Sequence, residues 1–153
     1  MDDQSIAVYA LTKQGLAVAE RVCAALPRAE MYLPESLRGQ EIPRPCPGLR
    51  PPTLPKVHWF KRLGEAVAAG FSEYKGHVFV TAAGIAVRVT APYLQGKTRD
   101  PAVLVLDQRG RYVISLLSGH VGGANALAVH IAGKIGAEPV ITTASDVEEL
   151  ARQ

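Results

Sequence analysis

The amino-acid sequence predicts an α/β fold with three layers, in which helices cover both faces of a mostly parallel sheet that includes one antiparallel hairpin. Short apolar runs alternate along the chain with longer segments whose apolar residues recur at helical spacing. The short runs are mostly apolar throughout, which is typical of strands buried on both faces. Proline or glycine follows most of the helical segments. The 153 residues fit one domain, which we expect to span residues 1–153.

The chain opens with a predicted β-α-β unit. Ser5–Leu11 is a strand-like apolar run, Leu16–Leu26 has helical spacing and stops before Pro27, and Ala29–Leu33 is a second strand-like run. Strands joined in this way lie parallel, and ligands of such sheets gather at the carboxyl ends of the strands.

A proline-rich segment follows at residues 34–55, where seven prolines stand among few apolar residues. Because proline lacks a backbone N–H and has a fixed φ, this segment cannot pair in a central strand. We expect a surface loop, which is either a lid over a ligand cleft or a tolerated insertion, and we favour the insertion.

Helical spacing returns at Val57–Phe71 and predicts a helix there. His58 and Trp59 flank its apolar stripe, and we assign both to packing or to a solvated edge. His77–Thr81 is then the third predicted strand, and a helical pattern that contains Arg88 follows it. This guanidinium either binds a carboxylate through two hydrogen bonds or pairs with a surface acid.

The polar loop Leu94–Asp100 leads into two strand-like runs, Pro101–Asp107 and Tyr112–Leu117. The connector between them is short and contains Gly110, which predicts a hairpin. This pair is therefore the antiparallel element of the sheet.

Ile114–Lys134 is the stretch that we expect to carry function, and it predicts a strand, a tight turn and a helix that ends at Gly136. The turn, Ser118–Asn125, contains three glycines. They either only allow a sharp turn or let a ligand approach the N–H groups of the helix N-terminus. Pro139–Thr143 is the last predicted strand, and residues 147–153 begin a helix.

Polar clusters follow three of these strands, at Thr81–Arg88, Ser118–Asn125 and Thr142–Asp146. Because loops after parallel strands share one edge of a sheet, we expect the three clusters to form a single cleft. One imidazole, a guanidinium and several hydrogen-bond donors, including helix N–H groups, suit an anionic, oxygen-rich substrate.

Composition excludes several other classes of function. The net charge is +3 and no Lys/Arg run exceeds two residues, so we expect no nucleic-acid partner. No apolar run reaches the ~18 residues of a membrane span, and we expect a cytoplasmic protein with no membrane partner. The turn matches neither dinucleotide nor nucleotide-triphosphate loops. Cys23 and Cys46 lack metal-ligand spacing, so we expect no metal site.

Four blocks resemble the N-terminal region of the CbiG family, the cobalt-precorrin-5A hydrolases of anaerobic cobalamin (vitamin B12) biosynthesis. They are TAAGIAVR at 81–88, DPAV at 100–103 with Asp107, LLSGHVGGAN at 116–125 and ITTASD at 141–146. The blocks stand in the family's order between Gly76 and Asp146, and SGHxGGAN is the specific one.

The resemblance implies that water opens the δ-lactone of a cobalt tetrapyrrole, which then loses acetaldehyde. No cofactor is implied, because cobalt arrives in the substrate. Under that reaction we expect three catalytic residues: His120 activates water or protonates the leaving group, and Ser118 and Asn125 hold an oxyanion or a carboxylate. The remaining expected substrate contacts are Thr81, Gly84, Arg88, Gly119, Gly122, Gly123, Thr142, Thr143 and Asp146.

Members of the resembled family continue into a second α/β domain, which is absent from this sequence. Three hypotheses therefore stay open. The chain is a lactone hydrolase acting on a cobalt-precorrin, a tetrapyrrole-binding half that needs a partner domain or a second copy, or an α/β module that binds a small anion.

Overall fold

The fold was analysed in a computed structural model that describes residues 5–39 and 55–144. Its strands are β1 Ile6–Ala10, β2 Ala29–Pro34, β3 Lys56–Phe60, β4 Gly76–Val80, β5 Ala102–Leu106, β6 Tyr112–Leu117 and β7 Glu138–Val140. Its α-helices are α1 Lys13–Ala24, α2 Leu63–Gly70, α3 Ala83–Thr90 and α4 Ala124–Ile135, and short 3₁₀ helices span Glu35–Leu37 and Ala91–Tyr93.

The seven strands form one sheet in the order β3-β2-β1-β4-β5-β6-β7. Every neighbouring pair is parallel except β5 and β6. The side chains of β1 alternate between two cores: Ile6 and Val8 pack with α1 and α4, whereas Ala7 and Tyr9 pack with α2 and α3. The predicted three-layer α/β fold with one antiparallel hairpin is confirmed.

The ends of the helices follow local chemistry. Thr12 caps α1, because its side-chain oxygen accepts the N–H of Gly15 at 3.0 Å. Gly136 ends α4 in the left-handed conformation with φ 74°, which confirms the predicted terminal glycine.

The predicted helix at Val57–Phe71 is wrong in its first part. Residues from Lys56 to Phe60 form strand β3, which pairs in parallel with β2, and the helix begins only at Leu63. Val57 and Phe60 are three residues apart and therefore satisfied helical spacing by coincidence. The β-branched and aromatic side chains of this run favour a strand, and pairing with β2 decided between the two. The strand predicted at His77–Thr81 is accordingly the fourth, β4.

The hairpin between β5 and β6 is organised by Asp107. Its carboxylate accepts the N–H groups of Arg109, Arg111 and Tyr112 at 3.2, 2.9 and 2.9 Å. Gly110 takes the positive φ of 67° that the turn requires. Burial acts to raise the pKa of Asp107, but these backbone hydrogen bonds outweigh it and leave the pKa below its usual value.

This single reversal gives the sheet two unlike edges. We call the edge where β1–β5 begin the amino edge, and the edge where they end the carboxyl edge. Because β6 runs against β5, and β7 runs parallel to β6, the last two strands end at the amino edge.

Strand β7 is shorter than predicted, so Thr142 and Thr143 follow it as loop residues. Most of the proline-rich segment (residues 40–54, with Cys46), Ser145, Asp146 and the helix expected at 147–153 lie outside the described residues. Among the helices that are described, none is both long and apolar enough to cross a membrane.

Candidate active site at the amino edge of the sheet

The three polar clusters do not share one cleft, so that expectation is wrong. Thr81–Arg88 follows β4 and lies at the carboxyl edge, whereas Ser118–Asn125 follows β6 at the amino edge. Thr142 and Thr143 follow β7 and join the amino-edge cluster. The reason is the antiparallel β6, since a strand that runs backwards delivers its following loop to the opposite edge.

The residues at the carboxyl edge engage mainly one another. The buried Thr81 hydroxyl donates to the carbonyl oxygen of Ala82 at 3.0 Å. The exposed Arg88 side chain turns back over the first turn of α3, where its Nη1 would lie 3.1 Å from a Cβ on Gly84. Within the described residues no carboxylate lies at ion-pair distance from Arg88.

The amino-edge turn depends on two close approaches that only glycine permits. A Cβ on Gly122 would lie 2.4 Å from the Cβ of Ser118, and a Cβ on Gly119 would lie 2.9 Å from Asn125 Oδ1. Ser118 itself has a φ of 62°, which is strained for a residue with a side chain. The turn is thus folded tightly upon itself.

Backbone groups of the turn cap α4 from within. The N–H groups of Ala124 and Asn125 donate to the carbonyl oxygens of Ser118 and Gly119, each at 3.0 Å, and the N–H of Gly123 donates to His120 O at 3.2 Å. The expectation that the Gly123 N–H and the first helical N–H groups await an anion is therefore wrong. The turn folds back because no side chain caps this helix.

Asn125 acts as a clamp between elements. Its Oδ1 accepts the Ser115 hydroxyl at 2.7 Å, and its Nδ2 donates to Thr143 Oγ1 at 2.9 Å. The side chain is buried and connects β6, α4 and the loop after β7. It therefore holds the turn against Thr143.

A cleft of about 390 Å³ lies beside the turn at the amino edge. The turn contributes one wall through Val121, which is 70% exposed, and Gly122. The other walls come from the segment before β4 and the loop before β5, and they consist of Phe71, Ser72, Tyr74, Lys75, Tyr93, Gln95, Thr98, Arg99, Asp100 and Pro101. His120 is exposed and directly precedes the wall residue Val121.

Most residues that line this cleft are not predicted from the sequence. The sequence pattern predicts a polar loop at Leu94–Asp100 but does not connect this loop, or Lys75, to the site. The signal was present: an antiparallel β5–β6 pair places the end of β6 beside the start of β5, so the loops before β4 and β5 had to be the neighbours of the turn.

A buried polar cluster supports the segment before β4. His77 Nε2 lies 2.8 Å from Phe71 O, and because a carbonyl can only accept, this nitrogen carries the proton. His77 Nδ1 consequently accepts the Tyr9 hydroxyl at 2.8 Å. Burial lowers the pKa of His77 to about 4, against a smaller opposing effect of the Phe71 hydrogen bond, so the ring is neutral near pH 7.

Tyr74 joins this cleft to a second cluster. Its hydroxyl lies 2.6 Å from that of Tyr32 and donates to Glu30 Oε1 at 3.3 Å, and the same oxygen lies 2.5 Å from His58 Nε2. Burial, assisted by Tyr32 and Glu30, raises the pKa of Tyr74 above its usual value, so this phenol stays protonated. In the part of the chain that the structure describes, no group of three or more His, Cys, Asp or Glu side chains could hold a metal ion.

Comparison with known proteins identifies what the chain is similar to. The family model "Cobalamin synthesis G N-terminal" matches residues 65–146. A cobalt-precorrin-5A hydrolase of Salmonella typhimurium is 45% identical over 96% of this chain and 38% of its own length, and one of Priestia megaterium is 37% identical over 94% and 36%. The chain thus spans somewhat over a third of these curated relatives.

A solved structure agrees with the fold. The crystal structure of a cobalamin biosynthesis protein G homolog from Sulfolobus solfataricus superposes with a TM-score of 0.60 at 26% identity, over 90% of this chain and 36% of that one.

Proposed function

The chain belongs to the cobalamin synthesis G N-terminal (CbiG) family, and on that premise we propose that it acts in cobalamin biosynthesis as part of a cobalt-precorrin-5A hydrolase. Both curated relatives quoted above carry that name. Because the chain spans 38% and 36% of their lengths, the activity of the whole relative need not reside in this part alone. We place the protein in the cytoplasm, with the cobalt-precorrin as its substrate.

The proposed reaction opens a lactone. Water adds to the lactone carbonyl, the bond from the acyl carbon to the ring oxygen breaks, and a carboxylate and a hydroxyl result. The hydroxyl then loses its proton and becomes the carbonyl of acetaldehyde as the adjacent carbon–carbon bond breaks. The electron pair of that bond passes into the conjugated macrocycle, which takes up a proton. The protein has to remove a proton from water and to bind a substrate with many carboxylates.

The observation that carries the proposal is the position of the most family-specific block. SGHVGGAN, which spans Ser118–Asn125, contributes Val121 and Gly122 to one wall of the amino-edge cleft. His120 is exposed beside that wall and is the residue we assign to water activation. Ser118 lies half-buried in the same turn, and Thr142 and Thr143 flank it, with Asn125 and Gly119 holding its shape.

The carboxyl-edge residues Thr81, Gly84 and Arg88 have no part in this reaction as we propose it. They follow β4 at the other edge of the sheet, so one substrate in the amino-edge cleft does not reach them.

An acetaldehyde assay tests the proposal. Purified protein is incubated with the lactone cobalt-precorrin, and acetaldehyde is followed through its reduction by alcohol dehydrogenase and NADH. We expect NADH oxidation that depends on both protein and lactone. No acetaldehyde above the protein-free control would contradict a hydrolase confined to this chain.

A second candidate is binding without turnover, which the partial coverage of the relatives favours. This unit would hold the tetrapyrrole and require a partner domain or a second copy for the reaction. An absorbance titration with a cobalt corrinoid, combined with the acetaldehyde assay, separates the cases: a spectral change without acetaldehyde indicates this candidate, and neither signal indicates an α/β module for a smaller anion.

A further inference from the structure

We propose that Lys75 and Arg99 are the carboxylate-binding residues of the amino-edge cleft and receive the anionic rim of a tetrapyrrole. The inference rests on the proposed function for its ligand class. The two cations belong to the segments before β4 and β5, which face the turn after β6 across the cleft.

The backbone of Lys75 is hydrogen-bonded to residues at the starts of two strands. Its N–H donates to Ser5 O at 2.9 Å, and its carbonyl oxygen accepts the N–H of Ala102 at 3.0 Å. The residue is therefore fixed at the starts of β1 and β5, while its side chain is exposed at the wall of the cleft. A fixed backbone lowers the entropic cost of binding through a lysine side chain.

Arg99 is presented by a loop that Asp100 braces. The Asp100 carboxylate accepts the N–H groups of Gln95 and Gly96 at 2.8 and 3.1 Å. The N–H groups of Arg99 and Asp100 in turn donate to Gly96 O at 3.0 and 2.9 Å. The loop is folded on itself before any ligand arrives.

Among the described residues, the cations of the cleft exceed its acids. Among the residues that the structure describes, neither Lys75 nor Arg99 lies within ion-pair distance of an acid, and the one ion pair found joins His58 and Glu30. Asp100 supplies the one carboxylate in the wall, and both of its oxygens already accept backbone N–H groups. Two unpaired cations at one cleft attract an anionic ligand.

Apolar side chains stand among the polar residues of the wall. Phe71 and Tyr93 lie with their ring centroids 5.9 Å apart, and Val121 faces outward from the turn. Exposed apolar surface beside two cations fits part of a macrocycle whose carboxylates radiate from a hydrophobic centre.

A second cavity offers a built-in comparison. It measures about 380 Å³, lies at the carboxyl edge, and contains Arg21 and Arg109. The Arg21 guanidinium already donates to the carbonyl oxygen of Ile135, so fewer of its N–H donors remain for a ligand in that cavity.

Porphyrin titrations test the inference. Uroporphyrin, with eight carboxylates, and coproporphyrin, with four, are titrated by fluorescence into the full chain and into Lys75→Gln, Arg99→Gln and the double variant. The matched controls are Lys13→Gln and Arg109→Gln, which remove exposed cations at the carboxyl edge. Thermal unfolding verifies that every variant is folded.

We expect uroporphyrin to bind more tightly than coproporphyrin, and each amino-edge substitution to weaken uroporphyrin about fivefold, as an exposed charge pair does. Added salt should reduce the affinity of the wild-type chain more than that of the double variant. The two carboxyl-edge controls should bind like the wild-type chain.

Equal losses at both edges, or a loss confined to Arg109→Gln, would overturn the inference. The acetaldehyde assay keeps it distinct from the proposed function. Porphyrin binding that depends on Lys75 and Arg99 without acetaldehyde release supports the cation assignment and contradicts the hydrolase, whereas acetaldehyde release with porphyrin binding unaffected by both substitutions does the reverse.

Discussion

The two edges of this sheet carry similar polar sequences but differ in what they can bind. At the carboxyl edge, Thr81 bonds to the adjacent backbone and Arg88 turns back over α3. At the amino edge, the turn lines a cleft together with the segments before β4 and β5, and within the described residues no acid lies at ion-pair distance from Lys75 or Arg99 there. Ligands of doubly wound sheets usually gather at the carboxyl ends of the strands.

The turn lies at the amino edge, contrary to that rule, because one strand is reversed. Strand β6 is antiparallel to β5, so the carboxyl end of β6 lies at the amino edge of β1–β5. The rule about carboxyl ends is obeyed by β6 and β7 themselves, whose following loops supply the turn and Thr143. The direction of the strand that precedes the turn therefore decides at which edge the turn lies.

The largest expected effect is on the rate of acetaldehyde release, which should depend on a residue at the amino edge and not on one at the carboxyl edge. His120→Ala should reduce acetaldehyde release about 10²- to 10⁴-fold, the usual contribution of a general base. Arg88→Ala is the control at the other edge and should leave the rate within about twofold. Both side chains are exposed, so thermal unfolding should change little for either.

Undiminished lactone hydrolysis in His120→Ala would remove its assignment as the base. A greater loss in Arg88→Ala than in His120→Ala would reverse the comparison and return the site to the carboxyl edge.

The next largest effect is on the free energy of unfolding, which reports how tightly the turn is packed. Gly122→Ala should lower the free energy of unfolding by about 2–3 kcal/mol, because the new Cβ would lie 2.4 Å from Ser118 Cβ and 3.0 Å from Ser118 O. Gly133→Ala in α4 is the matched control: nothing lies within 4 Å of its new Cβ, and alanine should stabilise the helix by about 0.5–1 kcal/mol.

Chemical denaturation of both glycine variants gives the two values. Equal and small changes would mean that the turn is loosely packed, and the amino-edge cleft would then lack a wall of fixed shape.

The smallest effect compares two aspartates that organise turns at opposite edges. Asp107→Ala should lower the free energy of unfolding at pH 7 by about 1 kcal/mol, because partly exposed N–H groups lose their acceptor. It should leave porphyrin binding unchanged. Asp100→Ala should instead weaken uroporphyrin binding, because Asp100 braces the loop that presents Arg99.

The pH dependence of Asp107 has a definite sign. Its pKa in the folded protein lies below the usual value of 3.8, so the folded state binds fewer protons than the unfolded one near that pH. The stabilisation is fully present above pH 3.8 and is lost as the pH falls through the lowered pKa. The stability difference between wild type and Asp107→Ala should therefore shrink below pH 4, and a constant difference would contradict this role.

Much of the fold could be predicted because its signals are local. The apolar runs of β1, β4 and β5 are of strand length, Gly110 marked the hairpin, and Gly136 marked the end of α4. Strand β3 was missed because five residues can satisfy both periods, and only its pairing with β2 distinguishes them.

The site was predicted in part for the same reason. The turn with His120 was found from its glycines, and its neighbours Thr142 and Thr143 followed from β7. The Gly123 N–H that was assigned to substrate instead donates to His120 O, because the turn folds back to cap α4, and a chain-order pattern does not reveal that.

The sequence by itself determined the three-layer α/β class, the antiparallel hairpin, the family resemblance and the turn at Ser118–Asn125, because each depends on residues close together in the chain. Only the tertiary structure decided that this turn meets Lys75 and Arg99 rather than Arg88. Which edges and loops meet is set by the direction and order of paired strands, and those pairings join residues that are far apart in sequence.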